Sequence, residues 1–231
     1  LFAPKAKRQR RMGGCPPRKG AIEMTEQLKA LLFDLDGTLL MMHAADYGAA
    51  LSKLNQQTFR DQLGWEPDFT SRCWNAGIVE INDNLDPNRT LEEAFYQGFE
   101  REAGMNRSVF MQTMVDFNSR VFDEASTVTR WQCQGANEML RGAKEKGYKI
   151  VLATAPRSAT EGTYFRLKWA GIDYTLFDFI STRLNTHFVK PRKEYYTELL
   201  EILSLKPAEC CMLGDLGVEI QENSEFDLLV S

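Results

Sequence analysis

The chain reads as an α/β protein, with a three-layer α/β/α, Rossmann-like core around a parallel sheet and an all-helical segment inserted into it. Three observations carry that reading. From Trp131 onward, helix-period and strand-like stretches alternate. Near the start, the apolar run Ala30, Leu31, Leu32 leads into Phe33-Asp34-Leu35-Asp36-Gly37-Thr38. Between these regions, residues 43–130 place apolar side chains at helical spacing. Strands alternating with helices require right-handed crossovers, and hence a parallel sheet covered on both faces.

The first 23 residues carry seven basic side chains (Lys5, Lys7, Arg8, Arg10, Arg11, Arg18, Lys19) against Glu23 alone, while the whole chain has 28 basic and 32 acidic residues. Gly13, Gly14, Pro16 and Pro17 oppose regular structure, and Met24 stands just ahead of the first strand. Residues 1–23 are therefore expected to be a disordered tag or upstream sequence outside the fold. The rest is acidic, which argues against a nucleic-acid backbone as partner.

Residues 24–42 and 131–231 are expected to form one discontinuous core and residues 43–130 the helical insertion. In the insertion, Leu51, Leu54, Phe59 and Leu63 form one helical stripe, Leu91, Phe95 and Phe99 a second, and Phe110, Met114, Phe117 and Val121 a third. Thr90 with Glu93 reads as a capping box, and Gly104 as a stop. Beyond Trp131 the expected order is helix Asn137–Lys146, strand Tyr148–Ala153, helix Ser158–Ala170 ended by Gly171, strand Phe177–Ser181, helix Lys193–Leu203, strand Cys210–Leu213 and a last strand Phe226–Val230.

At 231 residues and 43% hydrophobic content the chain can bury a sizeable core, and no apolar run approaches the length of a membrane span. Its five cysteines, Cys15, Cys73, Cys133, Cys210 and Cys211, form no CxxC pair, and a reducing cytoplasm is the simplest setting. The two histidines, His43 and His187, are too far apart to suggest a zinc site.

The chemistry centres on Asp34 and Asp36. Side chains alternate along a strand while the backbone bends at Gly37, so the two carboxylates can converge beyond the strand's carboxyl end. One can then attack while the other handles a proton. A buried strand running into an Asp-Gly turn is the plainer reading of the same six residues. As it stands, Phe33-Asp34-Leu35-Asp36-Gly37-Thr38 resembles the first signature of the haloacid dehalogenase (HAD) superfamily, most of whose DxDGT members are Mg-dependent phosphohydrolases working through an aspartyl-phosphate.

The resemblance implies three more sites in order, and each has a counterpart. Thr154 ends the Tyr148–Ala153 run, where its hydroxyl and the N–H of Ala155 can hold phosphate oxygens. Lys190, ahead of Pro191, falls in a loop. Gly214-Asp215 leaves the Cys210–Leu213 strand, with Glu219 four residues on. Singly, these are a helix cap, a surface charge and a turn; together, each at a strand end, they match the family's order. Glu219 departs from the pattern, which usually has aspartate there, and the chain after it is shorter than in most members. The insertion after the first signature is similar to the family's helical C1 cap.

The resemblance implies that Asp34 attacks phosphorus, that Asp36 protonates the leaving alcohol and then activates water, and that Lys190, Thr154 and the N–H groups of Leu35 and Ala155 bind the phosphate. Mg²⁺ would be shared by Asp34, the Asp36 carbonyl and Asp215. Arg157 and Glu219 are further candidates. The expected activity is hydrolysis of a small phosphorylated metabolite in the cytoplasm, with neither nucleic acid nor membrane as partner. Two alternatives stay open, a phosphomutase and a catalytically weakened member that binds phosphorylated ligands or a partner. Dehalogenation needs no second carboxylate, so Asp36 points to phosphoryl chemistry. The cap residues Tyr47, Trp74 and Asn75 are candidates for the pocket entrance. Substrate identity and oligomeric state are not readable.

Overall fold

A computed structural model describes residues 28–42, 44–126, 129–214 and 229–230. His43, Asp215, Glu219 and the first 23 residues lie outside them. Within them, β1 (Ala30–Phe33) lies between β4 (Lys149–Leu152) and β6 (Cys210–Leu213), β5 (Phe179–Ile180) flanks β4, and β7 (Leu229–Val230) flanks β6, giving the parallel order β5-β4-β1-β6-β7.

Burial follows the period of two that a sheet covered on both faces demands. Ala30 and Leu32 of β1, with Val151, Ala153, Cys210 and Met212, join Tyr195, Leu199 and Leu203 of α7 (Lys193–Leu203) on one face. Phe33, Ile150 and Leu152 join Leu140 of α5 (Ala136–Glu145) and Leu167 of α6 (Thr160–Trp169) on the other. Burial pushes the Cys210 thiol up to about 11, so this residue acts as a small apolar filler.

The helical insertion comprises α1 (Ala44–Leu63), α2 (Pro67–Asp83), α3 (Leu91–Ala103) and α4 (Arg107–Ser126). Two short strands bracket it, β2 (Leu40–Met42) and β3 (Thr129–Gln132), paired antiparallel. The three expected stripes fall on α1, α3 and α4. Helix α2 and the β2–β3 ribbon were not anticipated: α2 begins with Pro67 at its first position and buries Cys73, Gly77 and Ile81, a stripe interrupted by a glycine. The Thr90–Glu93 capping box is present in both directions, and Gly104 closes α3 with φ of 61°.

Aromatic rings fill the insertion's interior, with the Phe99 and Phe110 centroids 4.5 Å apart and those of Trp74 and Phe95 4.9 Å apart. Helices α2 and α3 approach so closely that a Cβ at Gly77 would sit 2.6 Å from the Phe95 ring, and one at Gly98 2.8 Å from the carbonyl carbon of Ala76.

A hydrogen-bonded seam ties this part of the insertion to the core segment 182–192. The Leu91 and Glu92 N–H groups donate to the carbonyls of Thr186 and Arg183, each at 3.0 Å. Asn84, fully buried, donates from Nδ2 to the His187 carbonyl at 2.7 Å and the Arg89 carbonyl at 2.8 Å. Arg192 donates to the Asn82 carbonyl at 3.0 and 2.7 Å, and Arg157 to Asn82 Oδ1 at 3.2 Å.

Candidate active site

The carboxyl ends of β1, β4 and β6 meet because the three strands run in register, Phe33 beside Leu152 on one side and Leu213 on the other. The Asp34 N–H donates to the Leu213 carbonyl at 2.9 Å, and the Ala153 N–H to the Phe33 carbonyl at 2.7 Å, so both exits continue the sheet by one residue. A Cβ at Gly214 would lie 3.1 Å from that of Asp34, so the chain leaving β6 passes directly beside the first carboxylate.

After Asp34 the chain turns sharply. The Leu35 carbonyl accepts from Thr38, Leu39 and Leu40 at 3.2, 2.9 and 2.8 Å, Gly37 takes φ of 84°, and the fully buried Leu35 side chain anchors the turn. Only glycine adopts that φ without strain. Asp36 is thereby aimed into the space between core and insertion.

Lys190 is almost completely buried. Its Nζ donates to Asp34 Oδ1 at 3.0 Å and to the Ala153 carbonyl at 3.2 Å, which joins two of the expected residues directly and ties both to the chain just ahead of Thr154. The turn at Thr154 is fixed from below: the Thr154 carbonyl lies within hydrogen-bond distance of the hydroxyls of Ser181 at 3.0 Å and Tyr195 at 3.1 Å, which are themselves 2.9 Å apart. Thr154 is buried, and Ala155 and Arg157 line the cavity that Asp36 enters.

Asp36 has a partner that the motifs did not indicate. Arg166, buried on α6, donates to Asp36 Oδ2, while its Nε donates to the Gly162 carbonyl at 3.2 Å. The Asp36 side chain is 30% exposed and that of Arg166 3%. Burial pushes the Asp36 carboxyl above its ordinary range; Arg166 opposes the shift and the charge of Asp34 adds to it. Burial by itself would lower the Arg166 guanidinium, but Asp36 foremost, with Tyr47 and Asp34, raises it overall.

Two buried oxygens next to the first carboxylate, Asp36 Oδ1 and Thr38 Oγ1, have no hydrogen-bond partner among the described residues. A Cβ at Gly214 would lie 3.9 Å from Thr38 Oγ1 as well as 3.1 Å from the Asp34 Cβ, so Asp34 and Thr38 offer oxygen donors there, the chemistry that a hard divalent cation such as Mg²⁺ requires. Among the described residues no three metal-capable side chains cluster, and Asp215, expected as a ligand, lies outside them together with Glu219. The residues present thus fit part of a Mg²⁺ site.

The cavity above Asp36 has a volume of about 510 Å³ and is walled by α1, α2 and α4 on one side and the 155–166 segment on the other. Tyr47, Trp74 and Asn75 line it, as do Leu51, Ile78 and Phe117. His187 is outside it, held by Glu198 with Nδ1 to Oε1 at 2.6 Å. Sequence reasoning missed Arg166, Ser181 and Tyr195, whose partners lie far away in the chain.

No helix among the described residues is long and apolar enough to cross a membrane. The chain is 25% identical over 189 residues to pyrophosphatase PpaX of Bacillus cereus, covering 82% of this chain and 75% of that protein. It is 29% identical over 198 residues to a putative pyrophosphatase PpaX of Clostridium perfringens, covering 84% and 78%. Among solved structures, a predicted HAD-like family hydrolase from Porphyromonas gingivalis superposes with a TM-score of 0.53 at 12% identity, covering 89% of this chain and 90% of that one. A HAD family enzyme from Bacteroides thetaiotaomicron superposes with a TM-score of 0.51 at 16% identity, covering 89% and 93%. The family model for haloacid dehalogenase-like hydrolases matches residues 28–221, which takes in the Asp34–Asp36 turn, Thr154, Lys190 and Gly214, and the chain belongs to that family.

Proposed function

We propose that this protein is a Mg²⁺-dependent phosphohydrolase acting on a small phosphorylated metabolite through an aspartyl-phosphate on Asp34. The observation that carries the reading is the Asp34–Lys190 contact at 3.0 Å, made at the strand ends with Asp36 two residues on and facing a cavity. Asp34 Oδ1 is held by Lys190, which orients the carboxylate while offsetting the repulsion between it and an incoming phosphate dianion.

The reaction then runs in two halves. A carboxylate oxygen of Asp34 bonds to phosphorus as the ester oxygen departs, and Asp36 gives that oxygen its proton. Asp36, now ionised, takes a proton from water, whose oxygen attacks the same phosphorus, and phosphate leaves with the Asp34 carboxylate restored. The raised Asp36 pKa suits the first half, because a carboxyl that keeps its proton to higher pH is the better acid at neutral pH. Lys190, the Thr154 hydroxyl and the N–H groups of Leu35 and Ala155 serve the phosphoryl oxygens, and Arg157 borders the same space. Mg²⁺, held by Asp34, the Asp36 carbonyl and Asp215, would neutralise charge on the phosphate when bound. The insertion is the cap over this site.

Hydrolysis of p-nitrophenyl phosphate tests the reading. Turnover with Mg²⁺, its loss with a chelator and a fall of at least about 10³-fold in Asp34→Asn support it. A wild-type protein with no metal-dependent turnover refutes it and leaves a phosphate-binding member of the fold. The PpaX relatives make pyrophosphate a second substrate to assay alongside.

A further inference from the structure

The cavity above Asp36 is lined by a residue with a polar atom that no described residue satisfies. Asn55, on α1, is only 4% exposed and lines the cavity, and its Oδ1 is buried with no hydrogen-bond partner among the described residues. Of the other polar groups lining the cavity, Gln56 donates to Ser71 Oγ at 2.9 Å, and Thr70 to the Glu66 carbonyl at 3.4 Å. An amide oxygen left without a donor inside a folded protein costs free energy, so such groups mark places where a donor arrives from outside.

The rest of the wall narrows the class of visitor. Leu51, Trp74, Ile78 and Phe117 supply apolar surface, and about 510 Å³ is room for an organic group of moderate size beyond the phosphate itself. Inorganic pyrophosphate would leave those apolar walls uncovered, and its oxygens, mostly ionised at neutral pH, present acceptors where Asn55 Oδ1 needs a donor.

Resting on the phosphohydrolase reading above, we infer that Asn55 is a specificity-determining residue, and that the substrate is an organic phosphate monoester whose leaving group donates a hydrogen bond, from a hydroxyl or an amine, to Asn55 Oδ1. A site with a fixed acceptor rejects an analogue lacking the donor, because binding it would bury that acceptor unpaired. Asn55 then acts on choice of leaving group while Asp34, Asp36 and Lys190 act on phosphorus.

The test uses matched monoesters on the whole chain with Mg²⁺: glucitol 6-phosphate against hexyl phosphate, which share six carbons and differ in the hydroxyls, with pyrophosphate and p-nitrophenyl phosphate alongside. The expected result is a kcat/KM at least about tenfold higher for the polyol ester than for the alkyl ester or pyrophosphate. In Asn55→Leu the polyol-to-alkyl ratio falls about tenfold, whatever happens to the absolute rates. The wild-type comparison stands even if that variant misfolds. Turnover of p-nitrophenyl phosphate with the alkyl ester or pyrophosphate preferred over the polyol overturns the assignment of Asn55 but not the phosphohydrolase reading. Absence of metal-dependent turnover on every ester overturns both.

Discussion

Replacing Arg166 by methionine keeps most of the aliphatic stem and deletes the guanidinium facing Asp36. Removing one partner of a fully buried pair costs about 3–5 kcal/mol, because it strands the other charge. Arg166 is 3% exposed but Asp36 is 30% exposed, so water reaches the stranded carboxylate and the expected loss at neutral pH is nearer to about 2 kcal/mol. The pH dependence has a definite sign. In the folded protein burial already holds the Asp36 carboxyl above its ordinary range, with Arg166 working against that shift. A carboxyl whose folded pKa exceeds its unfolded one binds its proton more tightly when folded. Its ionisation therefore costs no stability below the ordinary aspartate range, and the cost grows as pH rises through the raised value. Without Arg166 the folded value climbs further, so the variant's deficit is largest at neutral pH and shrinks as the carboxyl protonates. Urea unfolding followed by circular dichroism, in chelator, at about pH 7.5 and about pH 5 measures the difference directly. A deficit that is unchanged or larger at the lower pH refutes the account. The remainder that persists at low pH measures the bond from Arg166 to Gly162 and the packing of the stem.

Further outcomes follow from single contacts. Gly98→Ala drives a methyl group into the Ala76 carbonyl where α2 and α3 cross, so we expect a loss of about 2–3 kcal/mol in chemical denaturation. Asn84→Ala removes a fully buried side chain and leaves the His187 and Arg89 carbonyls without its amide donor, for a loss of about 1–3 kcal/mol by the same measurement. Thr90→Ala removes one half of a capping box, and a Tm drop corresponding to about 1 kcal/mol is expected. Lys190→Met removes the donor to Asp34 at 3.0 Å, and steady-state kinetics on p-nitrophenyl phosphate are expected to show kcat reduced at least about 100-fold.

Local signals were legible wherever the stabilising partners are near in sequence. The Asp34–Thr38 turn, the Thr90–Glu93 box and the apolar runs that become β1 and β4 could all be written from the chain, because turn chemistry, capping and local hydrophobicity depend on a few adjacent residues. So could the strand-end placement of Thr154 and Lys190, since a parallel sheet gathers its loops on one edge. What escaped depends on distance. Arg166 reads as an ordinary basic residue in a last helical turn, and its carboxylate lies 130 positions earlier. The Tyr195–Ser181–Thr154 brace joins three separate elements. Helix α2 was overlooked because Gly77, which lets Phe95 come close, breaks the apolar stripe that would have announced it. Asn55 is one amide among several on a polar-rich helix, and only the fold reveals that it is buried at the cavity wall with no partner for its Oδ1 among the described residues.

The stitching between Asn82, Asn84, Leu91 and Glu92 and the stretch from Arg183 to Arg192 bears on modularity. The loop that carries Lys190 borrows part of its support from residues encoded a hundred positions upstream, so excising the helices to leave a minimal enzyme would also unmoor the lysine that steadies the nucleophile.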